Sequence, residues 1–174
     1  MRTILIAMLA AVAATASALG QGSHPTATEA FHLQSECVKC GNKVLENSVA
    51  YAWTQAEIKN GKVPKYTVIQ QAHYNAKDNH CYVTLEDVDL DQEKGAETKK
   101  WYHEIYDGQT GEMLAASQVE GLKQFGTIFK HERVPESSLP AEKTFGSSPL
   151  EKEIWATNQF DRTEAYIKYL MEGS

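Results

Sequence analysis

Residues 65–87 read KYTVIQQAHYNAKDNHCYVTLED, and the pairing of this stretch with itself decides the fold. Apolar and aromatic residues alternate on both sides of Ala76-Lys77-Asp78-Asn79, a polar run whose Asp and Asn suit a tight turn. A turn centred on Lys77-Asp78 puts Ala72, Tyr74, Cys81, Val83 and Leu85 on one face of a hairpin. His73, Asn75, His80, Tyr82 and Thr84 then share the other. A slip of one residue would mix the two sets, so the apolar pattern selects this register. Cys81 is expected to point into the core, and the two histidines away from it.

Outward from the hairpin, the chain reads as a small α+β domain. A long helix is expected from an N-cap at Thr28 to a stop at Asn60-Gly61, with a possible interruption at Gly41-Asn42. After the hairpin comes an acidic run through Glu93, then a second hairpin from Trp101 to Val119 around Gly108-Gln109-Thr110-Gly111. The stretch 121–133 reads as a further short strand or a buried loop. Residues 133–149, with three prolines, are a linker by composition. Leu150 to Met171 reads as a helix led in by Ser148-Pro149. The expectation is an N-terminal helix and a C-terminal helix packed on an antiparallel sheet of about four strands. The main body spans 28–132, and the last helix, 150–172, docks on it.

The N-terminus carries Arg2, a short apolar run from Thr3 to Thr15, and then Ala16-Ser17-Ala18. This is the pattern of a cleaved export signal, too short to span a bilayer. We expect a leader over 1–18, a flexible lead over 19–27, and a soluble product in the periplasm or outside the cell. Roughly 150 residues remain, enough for one domain with its own core. The formal net charge of −6 comes without a run of Lys and Arg, which argues against nucleic acid and anionic lipid. No membrane insertion is expected after signal cleavage, and no cofactor or resident metal.

Export implies an oxidising compartment, where the three cysteines Cys37, Cys40 and Cys81 should form one disulfide. Cys37-Val38-Lys39-Cys40 lies well inside the expected helix with no strand before it and with Glu36 adjacent, an unfavourable setting for a redox thiolate. The favoured reading is a staple from the helix to Cys81. Cys37 is the preferred partner and Cys40 the alternative. A bridge closing a loop of about 40 residues contributes about 3–4 kcal/mol.

The candidate polar site is His73, Asn75, His80 and Tyr82, with His103 on a later strand as an added member. Two imidazoles near carboxylates can bind a ligand or transfer protons. Asp87-x-Asp89-x-Asp91 has the spacing of a calcium loop, but Gln92 and Thr98 stand where glycine and glutamate are required. Trp101, Tyr102 and Tyr106 are candidates for a binding platform or for cross-strand packing. No elbow serine or phosphate loop is present in the sequence, and catalytic residues are not assigned.

The segment His73-Tyr74-Asn75, five residues, then Cys81-Tyr82-Val83, preceded by a helical cysteine, resembles a loose group of small exported bacterial proteins. The resemblance covers the first helix and first hairpin. It implies a signal peptide and a helix-to-strand disulfide, and carries no activity or catalytic residues. The second helical cysteine departs from that group's two-cysteine pattern and leaves the bonded partner open. The resulting expectation is a non-enzymatic exported binding or interaction protein with a protein or small-molecule partner. The competing expectation is a metal-dependent or thiol-redox activity through His73 and His80, or Cys37 and Cys40.

Overall fold

The computed structural model describes residues 25–89 and 100–172. The expected leader, most of the lead and the acidic run from residue 90 onward lie outside the described residues. The elements in chain order are α1 (Ala27–Asn47), α2 (Val49–Lys59), β1 (Tyr66–Asn75), β2 (His80–Asp89), β3 (Lys100–Asp107), β4 (Met113–Glu120), β5 (Lys123–Ile128) and α3 (Pro149–Glu172). The class is α+β. The five strands form an antiparallel meander in sequence order, one strand more than expected, because Lys123–Ile128 pairs with β4.

The β1–β2 register is the one the turn chemistry selects: Tyr74 faces Cys81, Ala72 faces Val83, and His73 faces Tyr82. Asn79 takes the left-handed conformation (φ 52°) that Asn tolerates, and its side chain accepts a hydrogen bond from the Tyr74 hydroxyl at 2.7 Å. Alternation along β2 then feeds two separate cores. Cys81, Val83 and Leu85 pack with Cys37 and Val44 of α1. Tyr82 packs on the opposite face with Ile105, Ala115, Ile128 and, from α3, Tyr166, Ile167 and Leu170. The sheet is the middle of three layers.

The first helix differs from expectation at both its start and its break. Its cap is Thr26, not Thr28. The Thr26 side chain accepts from the Glu29 N–H while Glu29 accepts from the Thr26 N–H, a reciprocal capping box. The break falls at Ser48, not at Gly41. Ser48 adopts an extended conformation and caps α2 by accepting from the Tyr51 N–H at 3.2 Å, so a good N-cap residue outcompetes helix continuation there. Gly41 stays helical and buried. A Cβ at that position would meet the Gln70 side chain and lie 3.1 Å from the Ala72 Cβ, so its bare backbone sets how closely α1 approaches β1. Gly126 does the same for α3, where a Cβ would lie 2.7 Å from the Phe160 Cα.

Two further contacts shape the outside of the sheet. The Gln34 side-chain amide donates to the Ala72 carbonyl and accepts from the Tyr74 N–H, both at 2.8 Å. It thereby occupies the free edge of β1 as a further strand would. The 133–149 connection is packed down, with Val134 and Leu139 in the α3-side core. Arg162 of α3, 2% exposed, donates to the Pro140 carbonyl and to Glu136. Asn158 donates to the Ala141 carbonyl at 3.1 Å and accepts from the Lys143 N–H at 2.9 Å. No helix among the described residues is long and apolar enough to cross a membrane.

Cys37 and Cys81 are disulfide-bonded with Cα atoms 5.4 Å apart, and Cys40 is free. The bridge closes 44 residues of sequence and ties α1 to the second strand. Replacing both cysteines by alanine is expected to lower the unfolding free energy by about 4 kcal/mol, measured by urea denaturation. Thiol blocking followed by non-reducing peptide mapping should label Cys40 alone.

Candidate functional site

His73, Asn75, His80 and Tyr82 lie on one face of the first hairpin, joined through the pairs His73–Tyr82 and Asn75–His80. The structure divides them between two surroundings. At the turn end, His80 Nε2 lies 2.6 Å from Asp107 Oδ2. Asp107 is 1% exposed and also accepts from the Arg133 guanidinium at 3.0 Å and from the Gln109 and Thr110 N–H groups at 2.9 and 3.0 Å. Burial works against its charge, but the donors of Thr110, His80 and Gln109 outweigh it and hold the carboxyl below its ordinary range. Tyr82 donates to Asp78 at 2.5 Å; burial first, and then this contact, push its phenol well above the usual value. The buried Asn75 accepts from the Lys77 N–H at 3.0 Å. This knot ties the first turn, the β3–β4 loop and the 131–133 turn together. Asp107, its buried centre, has its acceptor capacity taken up by these four donors.

The second surroundings form a cleft of about 380 Å³ between β1–β3 and the C-terminal half of α3. α3 crosses the sheet from β5 towards β1. It lies tight against Gly126, while Thr84 is a small side chain under its far end. His73 and His103 line this cleft with Glu164, Ile167 and Met171. His103 therefore joins His73, not His80. Its Nδ1 lies 3.2 Å from both Glu164 oxygens, and the Ser117 hydroxyl, on a side chain 2% exposed, donates to the same carboxylate. Trp101 covers the imidazole with ring centroids 5.3 Å apart, and is backed by Phe160 at 6.2 Å. A carboxylate at Nδ1 selects the tautomer with its proton there and leaves Nε2 as an acceptor. The arrangement can orient a ligand hydroxyl or amide, or accept a proton from it.

Sequence reasoning missed Asp107, Arg133, Ser117 and Glu164. Asp107 did carry a signal: Asp-Gly followed by Gln-Thr-Gly is a loop in which an Asp side chain caps the backbone N–H groups that follow. Glu164 carried none, standing 61 residues from His103. Among the described residues no three His, Cys, Asp or Glu side chains converge as metal ligands. Cys40 is half-buried and lines a separate cavity of about 260 Å³ between the end of α1 and the 108–111 loop.

The aromatic strand splits between faces. Trp101 serves the α3 side, whereas Tyr102 and Tyr106 face the α1 side with Asp87 and Glu104. Tyr106 donates to Glu104 at 2.7 Å. Burial, and then the Glu104 charge, push Asp87 up to about 6. A carboxyl that titrates near 3.8 unfolded and about 6 folded gives stability that is complete below pH 3.8 and lost as pH rises through 6. Asp87→Asn should therefore melt higher than the wild type above pH 6, with the difference vanishing below pH 3.8. Thermal melts across that window check it.

The two histidine surroundings also differ in what their loss should cost. Asp107→Ala removes the buried acceptor that four partly or fully exposed donors share and is expected to cost about 1–3 kcal/mol. Glu164→Gln, at a partly exposed carboxylate, is expected to cost less than about 1 kcal/mol; chemical denaturation compares them. No known protein family, curated protein or solved structure matches this chain, so its function is read from the geometry itself.

Proposed function

We propose that this is an exported, disulfide-stapled binding protein for a small organic ligand, held in the cleft between α3 and the β1–β3 surface. The observation that carries the reading is the braced His103. A buried serine, a carboxylate and an indole fix one imidazole on the wall of a cleft whose other walls include Ile167 and Met171. A pocket of about 380 Å³ is within the size range of small-molecule sites, where an apolar wall supplies affinity and a few polar groups supply orientation. The ligand would present a hydroxyl or amide donor to His103 Nε2 and an apolar body to α3. The competing activities have less support. Metal chemistry through His73 and His80 is not favoured, because the two imidazoles stand in different surroundings. Thiol exchange through Cys37 and Cys40 would first have to open the Cys37–Cys81 bond.

A fragment library screened by NMR on the mature protein tests this reading. Fragments that shift the Met171 methyl and His103 ring resonances, and bind about tenfold more weakly to His103→Ala and His73→Trp with melting unchanged, are the expected result. Fragments that bind elsewhere, or bind all three proteins alike, would sink the proposal.

A further inference from the structure

α2 turns apolar residues outward. None of its residues is buried, although it carries Val49, Ala50, Tyr51, Ala52, Trp53, Ala56 and Ile58. Val49, Ala52, Trp53 and Ala56 fall at i, i+3, i+4 and i+7, the spacing of one helical face, and all four are exposed. Val49 is 68% and Trp53 70% exposed. The helix is tied down by polar groups instead: Ser48 caps Tyr51, and Glu57 accepts from the Lys65 N–H at 3.2 Å. Past the helix, Gly61 turns the chain in the left-handed conformation (φ 70°) and lifts Val63 to 86% exposure.

Lys59, Lys62 and Lys65 stand at the end of α2 and in the turn after it, all exposed, and none forms an ion pair among the described residues. Residues 49–65 carry these three lysines against the single acid Glu57 in a chain whose net charge is −6. Whole-chain charge argues against anionic lipid, but it does not register so local a reversal. An exposed Trp-bearing apolar stripe followed by three exposed lysines suits a helix lying in the interface of an anionic bilayer. A second copy is a poorer occupant. The 11-residue helix is about 16 Å long and 10 Å wide, far short of the roughly 800 Å² per partner that a stable dimer buries.

We propose that α2 and the turn after it form a reversible docking surface for anionic phospholipid membrane, distinct from the ligand cleft on the other side of the sheet. Trp53 and Val63 would enter the headgroup boundary and the three lysines would meet lipid phosphates.

Co-sedimentation of the mature protein with vesicles of phosphatidylglycerol or of phosphatidylcholine, together with tryptophan emission, tests the proposal. The expected result is salt-sensitive binding to phosphatidylglycerol alone, with a blue shift that Trp53→Ser abolishes. The triple change Lys59→Glu, Lys62→Glu and Lys65→Glu should weaken binding by on the order of 100-fold, about fivefold for each lysine lost. All these side chains are exposed, so circular dichroism melts should match the wild type. Failure to bind phosphatidylglycerol, or equal binding to both lipids unaffected by the lysine changes, overturns it. So does a lipid-free dimer in sedimentation equilibrium that Trp53→Ser dissociates, since the stripe would then belong to a second copy.

Discussion

Cys81, Tyr82, Val83, Thr84 and Leu85 are five consecutive buried residues, and a strand buries consecutive side chains only when a layer covers each side of its sheet. This constraint on β2 organises the molecule. The odd-numbered residues require a helix on one side, and the disulfide fixes α1 there. The even-numbered residues require a second cover, which α3 provides after the sheet is complete. The two cores meet different needs. The α1 side is covalently tied, and apolar where Cys81, Val83 and Leu85 meet α1. The α3 side closes over a strand face that alternates large apolar groups with His73, His103 and Ser117, and so has to accommodate polar atoms beneath a helix.

That difference explains how the polar groups on the α3 side divide. Asp107 accepts from a histidine, an arginine and two backbone N–H groups, which uses the lone-pair capacity of a carboxylate. A group so fully satisfied holds structure and has nothing left to offer a ligand. Among the described residues the His103 ring is bonded at Nδ1 only, with its carboxylate partner steadied by a buried serine. An imidazole fixed in orientation but with one nitrogen uncommitted is the more informative feature. The cleft follows from the same geometry: Gly126 lets α3 touch β5, and the helix then passes over Thr84 on its way to β1.

The hairpin register was legible because two independent local signals agree, the turn residues 76–79 and the period-two alternation on either side. The Cys37–Cys81 bridge, with Cys37 preferred to Cys40, followed from core-facing positions on both elements, and the structure has that pairing. The helix break was misplaced because glycine carries the stronger local penalty. Tertiary contact against Gln70 and Ala72 reverses that penalty for Gly41, while Ser48 stops the helix by capping the next one. The site was half legible. His73, His80 and His103 could be assigned to strands, but their partners Glu164 and Asp107 depend on where α3 and the β3–β4 loop settle. Nothing in a sequence reports a pairing between residues 61 positions apart.

Net charge illustrates the same limit in another form. A total of −6 governs solubility and long-range steering, but contact at a surface is decided within a Debye length of about 8 Å. Along the chain α2 and its following turn present Lys59, Lys62 and Lys65 against Glu57, with Asp89 across from Tyr66, and most of the acids that set the total lie in other segments. The same helix is the element least secured by packing, held by a serine cap and one glutamate contact rather than by buried side chains. Burying its apolar stripe inward would have required it to cover more of the sheet, and that face beyond β2 carries Asp87, Glu104 and the tyrosines instead. A half-buried carboxyl such as Asp87, beside Glu104, is a poor bed for Val49 and Trp53. The outward stripe of α2 and the raised proton affinity of Asp87 are two consequences of a single polar patch on the sheet.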